Sequence, residues 1–299
     1  MRYTLRQLEI FLATAHHQNV TKAAEELSMS QSAASGALKD LETQFDVQLF
    51  DRVGKRLQTN EFGNRVRIRA EALLAQAKEL EHELSQHDKV GHIKVGATLT
   101  IGNYLCVDLI KQYIRESPGT QVKLEVANTE SIARAILNFD IDLGLVEGEL
   151  HHPDLDIVNW RKDSLICFCS PSHPLAQKTH ITDKDLLAAK WILREPGSGT
   201  RQTFDRAMSG LTPSLDIELE LQHTEAIKRA VENGLGISCL SEIALQTAFD
   251  RKTLVPINIP SRDFTRHFYF VIHKHKYRAA GILKWMGICN IDFETIDKL

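Results

Sequence analysis

The sequence predicts an all-α N-terminal module with a small wing, a long connecting helix, and a C-terminal α/β region with two similar halves. Three observations support this fold class. Apolar residues within the first 45 positions recur every three or four residues, as they do on one face of a helix. Residues 61–86 keep a helical period without any proline. Beyond Gly91, short apolar strands alternate with helical segments, which is typical of a parallel sheet covered by helices.

The composition is that of a globular chain of two or three domains, with 299 residues, 43% hydrophobic and 25% charged. The five cysteines are scattered without CxxC spacing, which favours a reducing compartment. The first residues do not resemble a signal peptide, and no run of about 18 uncharged apolar residues follows. We therefore expect a cytoplasmic protein without a membrane span.

Charge is distributed unevenly along the chain. The net charge of −3 by itself argues against a nucleic-acid partner. Residues 52–69, however, hold six basic side chains and a single acid, Glu61. The basic residues are Arg52, Lys55, Arg56, Arg65, Arg67 and Arg69. This excess predicts a strip that holds a phosphate backbone, while the rest of the chain serves another purpose.

The N-terminal module begins with a helix from Leu5 to His17. Thr21 is the expected N-cap of a short second helix, and Ser30 that of a third helix from Gln31 to Glu42. Three close helices with a tight second turn indicate a helix-turn-helix. Residues 48–52 and 56–59 flank a turn at 53–55, which predicts a β-hairpin that serves as a wing.

A long helix is predicted next, from Glu61 to about Gln86, with Asn60 as its cap. Its apolar residues alternate at spacings of four and three, the repeat of a coiled coil. They are Val66, Ala70, Leu73, Ala77, Leu80 and Leu84. Because charges occupy the other faces, we predict dimerisation along this seam; the alternative is a helix packed on its own domain.

The α/β region alternates predicted strands and helices in each of its halves. Strands are expected at residues 92–97, 122–127, 142–148, 165–170, 191–195, 217–221, 236–241 and 267–273, followed by a closing helix at 279–289. A helix is expected from Tyr104 to Ser117. Ligands in such sheets bind beyond the carboxyl ends of the strands. Two halves of this kind create a cleft between them.

Several N-terminal segments resemble the LysR-type transcriptional regulators. They are LRQLEIFLATA, TKAAEEL, SQSAASGALKDLE, QLFDRVGKRL and NEFG. The resemblance extends over the whole chain and implies a winged helix-turn-helix DNA-binding domain at 1–60 and a linker and dimerisation helix at 61–89. It also implies an effector-binding domain at 90–299 like a type 2 periplasmic binding protein, with lobe I at 90–162 and 266–299 and lobe II at 163–265.

A narrower resemblance concerns the effector. Segments including TIGNYL, NTESIARAILNFDIDLGLVEG and WILREPGSGTR are similar to those of family members that sense small anions of sulfur or carbon assimilation. This implies an effector such as sulfite or sulfate.

The family resemblance also implies which residues contact double-stranded DNA. They are Thr21, Ser30, Gln31, Ser32, Ser35, Lys39, Arg52, Lys55 and Arg56. Ordinary exposed positions at a helix start and a hairpin tip are the alternative. Gly36 and Ala37 stand where the family often has larger polar side chains, so we expect base readout to depend on few residues and on DNA shape. Asp46 replaces the usual glycine, and aspartate tolerates left-handed backbone.

Effector contacts are expected where strand ends meet helix starts. The predicted residues are Thr98, Thr100, Asn128, Thr129, Glu147, Gly199, Thr200 and Arg201. Hydroxyls and free N–H groups there suit a small oxyanion, although a helix cap is the ordinary role of each threonine alone. Glu147 either accepts a hydrogen bond from a protonated or hydroxylated ligand, or forms an ion pair with Arg201 or Arg194.

Catalysis, metals and cofactors are not expected. The histidine pairs lack acidic or cysteine partners at ligand spacing, and GSGT lacks the spacing of a nucleotide loop. These features favour a ligand-responsive DNA-binding regulator that acts as a homodimer or homotetramer, with RNA polymerase as a further partner. A solute-binding protein and an enzyme on the same two-lobed fold are the alternatives.

Overall fold

The computed structural model describes residues 2–54, 56–85 and 92–291. They form two compact units. The first consists of the described residues up to 85 together with 274–283, and the second of residues 92–273 together with those from 284 onward. The first unit is helical with a small hairpin and the second is α/β, so the predicted fold class is confirmed.

The first unit contains the predicted helices and hairpin. They are α1 (Leu5–His17), α2 (Val20–Glu26), α3 (Gln31–Phe45), α4 (Glu61–Ser85), β1 (Phe50–Val53) and β2 (Arg56–Thr59). The Ser30 hydroxyl accepts a hydrogen bond from the Ala33 amide at 3.2 Å and caps α3, as predicted. Asp46 ends this helix in the left-handed region, at φ 51° and ψ 50°. The Asn60 Oδ1 accepts from the Gly63 amide at 2.7 Å and caps α4.

The cap of α2 differs from the prediction. Asn19 Oδ1 accepts hydrogen bonds from the backbone amides of Thr21 at 2.8 Å and Lys22 at 3.2 Å, and the helix begins at Val20. The predicted N-cap at Thr21 is therefore wrong. Both Asn and Thr are good caps, and the apolar pattern of so short a helix does not choose between them.

One apolar core joins the elements of the first unit. Phe11 of α1 is fully buried and meets Phe50 of β1 edge-on, with ring centroids 5.5 Å apart. Leu38 of α3 and Leu74 of α4 belong to the same buried cluster. Burial of these side chains is the main stabilising term of a unit of this size.

Part of the predicted dimer seam on α4 is used inside the first unit. Ala70 is 3% exposed, and Val66 and Leu73 pack against the same core. Leu80 and Leu84, near the end of the helix, are 56% and 75% exposed. The prediction that the whole seam contacts a second chain is wrong at Ala70, because the first half of α4 packs against α1.

The second unit is built around one mixed sheet. Its strands are β3 (Ile93–Thr98), β4 (Val122–Ala127), β5 (Leu143–Glu147), β6 (Leu155–Cys169), β7 (Lys190–Arg194), β8 (Asp216–Leu221), β9 (Ile237–Ser241), β10 (Val255–Ile257) and β11 (Thr265–His273). Its helices are α5 (Leu99–Tyr104), α6 (Cys106–Glu116), α7 (Thr129–Leu137), α8 (Asp183–Ala188), α9 (Gly199–Ala207), α10 (Thr224–Glu232), α11 (Glu242–Asp250) and α12 (Ala280–Ile288), whose first residues belong to the first unit.

The sheet divides into two parallel halves, the two lobes. The strand order is β4-β3-β5-β11-β6-β9-β7-β8, and β10 also pairs with β6. Strands β3, β4 and β5 are parallel in lobe I, and β7, β8 and β9 are parallel in lobe II. The long strand β6 pairs with β11 over residues 155–164 and then with β9 and β10. Antiparallel strands thus join the lobes.

The main differences from the predicted elements lie in β6 and at the start of lobe I. Strand β6 begins at Leu155, well before the predicted start at 165, because the polar run from Asn159 to Ser164 hides the strand pattern. A bulge at Trp160 interrupts its pairing with β11 and shifts the alternation. The helix predicted from Tyr104 to Ser117 is α6, within two residues at each end, but a short helix before it, α5, was not predicted.

Candidate functional site

The predicted DNA-contacting face of α3 is open to solvent. Ala34 and Leu38 point into the core. The exposed residues of the predicted set on this helix are Ser30, Gln31, Ser32, Ser35 and Lys39. Thr21 is also exposed, near the start of α2. These side chains are accessible to a duplex, and their roles remain predictions.

Gly36 leaves an open surface in the middle of the same face. A Cβ added to Gly36 would meet no atom within 4 Å. Ser32 lies one turn before this position and Lys39 about one turn after it. Gly63 at the start of α4 is the opposite case, since a Cβ there would lie 2.0 Å from the Leu49 carbonyl oxygen.

The wing presents basic side chains. Arg52 on β1 and Arg56 on β2 are exposed, whereas Lys55 lies outside the described residues. The Leu57 amide donates to the Gln18 carbonyl oxygen at 3.0 Å, which ties the hairpin to the end of α1. The wing is therefore anchored to the helical module and does not depend on its own two strands alone.

The carboxylate of Glu147, at the end of β5, is the centre of a buried polar cluster. The Thr100 hydroxyl lies 3.0 and 3.1 Å from its two oxygens, and the Thr200 hydroxyl lies 3.4 Å from Oε2. Arg266 of β11 forms an ion pair with the same carboxylate. Glu147, Thr100 and Thr200 are only 1%, 3% and 2% exposed. The structure thus brings three predicted effector residues together in a site closed to solvent.

Arg266 connects this cluster to the strands between the lobes. Its Nε donates to Asp163 of β6 at 2.6 Å, and its Nη1 donates to the Thr200 hydroxyl at 3.0 Å. Asp163 also accepts from the Ser241 hydroxyl at 2.8 Å. The guanidinium is therefore held by two carboxylates and a hydroxyl. This network fixes the position of Glu147 from β6 and β11.

The charge state of Glu147 follows from these neighbours. Burial alone raises the pKa of this carboxyl, but the positive charges of Arg266 and Arg194 and the hydrogen bonds from Thr100 outweigh burial and lower its pKa below the ordinary value. Glu147 is therefore ionised at neutral pH. As a carboxylate it accepts hydrogen bonds and donates none.

Several buried donors at the strand ends have no hydrogen-bond partner within the described residues. They are Thr98 Oγ1, Arg194 Nη1, Ser198 Oγ and Thr224 Oγ1. Thr98 and Ser198 occupy the N-cap positions of α5 and α9 without making a cap hydrogen bond. Buried polar groups are normally paired, so such a set indicates a place for water or a ligand rich in acceptor oxygens.

Arg201 does not neutralise Glu147. Its guanidinium hydrogen-bonds Asp205 at 3.0 Å and Glu220 at 2.5 Å, and also the Arg194 carbonyl oxygen. The Arg194 guanidinium donates from Nε and Nη2 to Glu195 at 2.8 and 3.0 Å. Neither arginine therefore forms the predicted ion pair with Glu147, and Arg266 takes that place. The reason is that Arg201 follows Thr200 by one position in α9, and its side chain reaches the acids of α9 and β8.

Two further predicted residues support the site. Asn128 Oδ1 accepts from the Ser131 amide at 3.0 Å and caps α7. The Thr129 hydroxyl donates to the carbonyl oxygen of Glu147 at 2.6 Å. Both side chains therefore have a structural role, one at the start of α7 and one at the end of β5.

Gly199 allows the two lobes to approach each other. A Cβ at this position would lie 1.8 Å from the Glu147 carbonyl oxygen. A residue with a side chain therefore does not fit between the end of β5 and the start of α9 in this arrangement.

Hydrogen bonds across the cleft hold it closed. The Tyr104 hydroxyl of lobe I donates to Glu225 of lobe II at 2.9 Å. On another side, the Glu149 amide donates to Gln202 of α9 at 2.7 Å. These two contacts link the lobes on either side of the Glu147 cluster.

The sequence reasoning missed Arg266 and Asp163. Asp163 lies in the part of β6 that was not predicted as a strand, and Arg266 directly precedes the run HFYFVIH. A charged residue at the start of an apolar strand is a local signal that could have drawn attention to Arg266. Its partner on a distant strand is fixed by the pairing of β6 with β11.

No described helix combines the length and apolar character needed to cross a membrane. Within residues 2–54, 56–85 and 92–291, no three histidine, cysteine or acidic side chains are grouped as ligands of a metal ion.

A helix-turn-helix with a basic wing, followed by a two-lobed domain with a closed polar site, defines a DNA-binding transcriptional regulator that has an effector domain. Residues 5–64 match the family of bacterial regulatory helix-turn-helix proteins of the lysR type, and residues 86–290 match the LysR substrate binding domain. The chain belongs to the LysR family of transcriptional regulators. The predicted family is confirmed, and the protein is a regulator, not an enzyme.

Similar proteins span nearly the whole chain. An HTH-type transcriptional regulator of Escherichia coli K12, YeiE, described as uncharacterized, is 40% identical over 97% of this chain and 98% of its own. A full-length OxyR variant from Pseudomonas aeruginosa shares the fold with a TM-score of 0.72 at 22% identity, covering 98% of this chain and 96% of that one. The regulatory domain of CcmR from Synechocystis, in complex with 2-PG, has a TM-score of 0.62 at 28% identity, covering 67% of this chain and 96% of that one.

Proposed function

We propose that this regulator responds to a small oxyanion, such as sulfite or sulfate, bound between the two lobes beside Thr100, Glu147 and Thr200. The observation that carries the proposal is the set of buried donors without acceptors, above all Arg194 and Ser198. The CcmR domain in complex with 2-PG supports a small ligand for a domain of this type.

The physical argument rests on unpaired groups. A buried donor without an acceptor costs about 1–3 kcal/mol. An oxyanion has several lone pairs and accepts from several donors at once. Ser198 directly precedes α9, a helix of nine residues, so the unpaired amides and the positive end of its dipole add to the attraction. The guanidinium of Arg194 is ion-paired with Glu195, and its remaining Nη1 is a further buried donor.

The DNA-binding part of the proposal concerns α3 and the wing. Gln31, Ser32 and Ser35 reach base edges or the backbone from α3, and Lys39 contacts phosphate. Arg52, Lys55 and Arg56 contact phosphates or the minor groove from the wing. Effector binding changes the relation of the lobes, and the linker helix passes this change to the DNA-binding modules.

The oligomeric part of the proposal concerns the exposed end of α4. Leu80 and Leu84 continue the coiled-coil spacing and are more than half exposed. A second copy of the chain would bury them in a homodimer, and dimers would pair as a homotetramer. Contact with RNA polymerase remains a prediction from the family.

Thermal unfolding of the full-length protein against a panel of anions tests the effector. Sulfite, sulfate, thiosulfate, phosphate and simple carboxylates are compared at equal ionic strength, and binding to the folded state raises Tm. We expect a selective rise that Thr100→Val abolishes and Thr253→Val retains, because the Thr253 hydroxyl bonds Glu232 at the surface. A Tm that no anion changes, or a rise that survives in Thr100→Val, would exclude the proposed site.

A further inference from the structure

We propose that Glu147 makes the effector site selective for oxyanions that carry a hydroxyl hydrogen, such as hydrogen phosphate, hydrogen sulfite or bicarbonate, and that it rejects oxyanions without one, such as sulfate. This inference rests on the proposed oxyanion site. Of the two anions named for that site, it keeps sulfite, in its protonated form, and excludes sulfate, because of the chemistry of the Glu147 side chain.

In the closed structure, the carboxylate of Glu147 takes the place that an anion would occupy. It accepts hydrogen bonds from the hydroxyls of Thr100 and Thr200 and forms an ion pair with Arg266. Each threonine hydroxyl has a single hydrogen to donate. As long as that hydrogen points to Glu147, it is not available to a bound oxyanion. A ligand that takes these two donors therefore removes them from Glu147.

Glu147 cannot easily move aside or lose its charge. Its partner Arg266 is itself held by Asp163 at 2.6 Å, and the side chains of all three residues are only 2% exposed. The Glu147 carbonyl oxygen is also fixed, because it accepts from the Thr129 hydroxyl at 2.6 Å. The ligand therefore meets a fixed carboxylate that only accepts hydrogen bonds.

An oxyanion with a hydroxyl can bind beside the fixed carboxylate because it exchanges hydrogen bonds with it. Its O–H donates to Glu147 and replaces a threonine donor, while its other oxygens accept from Thr100, Thr200 and the unpaired groups of Ser198 and Arg194. Sulfate has no hydrogen at neutral pH. One of its oxygens would face the carboxylate with like charge and no hydrogen between them, which is strongly unfavourable in a buried site.

The test compares anions with and without a hydroxyl hydrogen on the full-length protein. Dissociation constants for phosphate, sulfite, bicarbonate, sulfate and methanesulfonate are measured by calorimetry at one pH near neutrality and constant ionic strength. The variants are Glu147→Gln and a matched control, Glu218→Gln, which removes a carboxylate paired with Lys190 at the surface. A site that hydrogen-bonds a ligand hydroxyl rejects analogues without one by large factors, so we expect at least a ~100-fold preference in the wild type.

The side-chain amide introduced by Glu147→Gln can donate as well as accept, so this variant should lose most of the preference and bind sulfate at least about tenfold more tightly. Glu218→Gln should match the wild type. Equal affinity of the wild type for sulfate and hydrogen phosphate would overturn the inference and leave the oxyanion site intact. Absence of binding by every anion to both wild type and Glu147→Gln would overturn the site and the inference together. If Glu147→Gln does not fold, the wild-type ratio alone decides.

Discussion

Arg266 and Glu147 form an ion pair in which each side chain is 2% exposed, and Asp163 holds the same guanidinium from the opposite strand. Two buried carboxylates thus share one cation, with Arg194 adding a second positive charge to the field at Glu147. A pair of this kind is costly to desolvate but still more costly to break, because removal of one partner leaves the other charged and buried.

Replacement of Arg266 by Met should therefore lower the free energy of unfolding by about 3–5 kcal/mol. Glu147 and Asp163 would lose their shared cation and face each other as like charges. Urea unfolding measures the change. Arg134→Met is the matched control, since Arg134 is 68% exposed and pairs with Glu130 at the surface, where a loss of at most about 1 kcal/mol is expected. Similar losses in both variants would contradict the assigned role of Arg266.

Stability should depend on pH through Glu147. Its pKa in the folded protein is lowered below the ordinary value of 4.5, so its ion pair contributes stability that is fully present above that value and is lost as the pH falls toward the folded pKa. Urea unfolding of wild type and Glu147→Gln from neutral to acidic pH measures this contribution. The variant should lose less stability than the wild type below pH 4.5. Parallel curves would show that Glu147 is not the group that titrates.

Replacement of two helix glycines by alanine should change the free energy of unfolding in opposite directions. The Cβ added by Gly36→Ala would have no atom within 4 Å. Because alanine has a higher helix propensity than glycine, this variant should raise the free energy of unfolding by about 1 kcal/mol. Gly63→Ala would place a Cβ 2.0 Å from the Leu49 carbonyl oxygen and should destabilise the module. Urea unfolding of the two variants gives the signs. A gain in both would show that α4 does not pack against Leu49 in this way.

The wing should contribute to DNA affinity through phosphate contacts. Arg52→Ala with Arg56→Ala should weaken binding to all sequences and lower the slope of log affinity against log salt by about one unit for each lost contact. Mobility shifts over a salt series measure the slope. Arg134→Ala, an exposed arginine of the other unit, is the control. An unchanged slope would mean that the wing does not touch DNA.

The end of α4 should determine the oligomeric state. Leu84 is 75% exposed within its own chain, so Leu84→Asp should leave the fold intact and convert the protein to a smaller species in sedimentation. Ala70→Asp places a charge in the core of the helical module and should unfold it instead. A Leu84→Asp variant with unchanged sedimentation would move the subunit contact elsewhere.

Elements with a strong local signal could be predicted from the sequence. Helix α1, the cap at Ser30, the hairpin and the left-handed Asp46 follow from periodicity and backbone preference within a few residues. Strand β6 could not be read in the same way. Its polar half is covered by pairing with β11, a partner more than a hundred residues later in the chain, and a bulge breaks its alternation.

In the polar cluster around Glu147, too, some residues could be predicted from local sequence and others could not. Thr100, Glu147 and Thr200 were predicted together because each stands at a strand end or helix start, a position that local sequence reveals. The partner of Glu147 was not, because Arg266 reaches it through strand register and not through sequence spacing. Likewise, α4 carries a regular seam, but the burial of Ala70 depends on where α1 packs.

The close contact at Gly199 has a genetic consequence. The lobes meet as they do because position 199 has no Cβ, which would otherwise lie 1.8 Å from the Glu147 carbonyl oxygen. Every glycine codon lies one nucleotide from a codon for alanine or valine. A single point mutation would therefore place a side chain between the lobes, where it clashes, and leave the helix-turn-helix unchanged. Selection for altered gene expression would be expected to recover such alleles at this codon, with a response that no longer follows the effector.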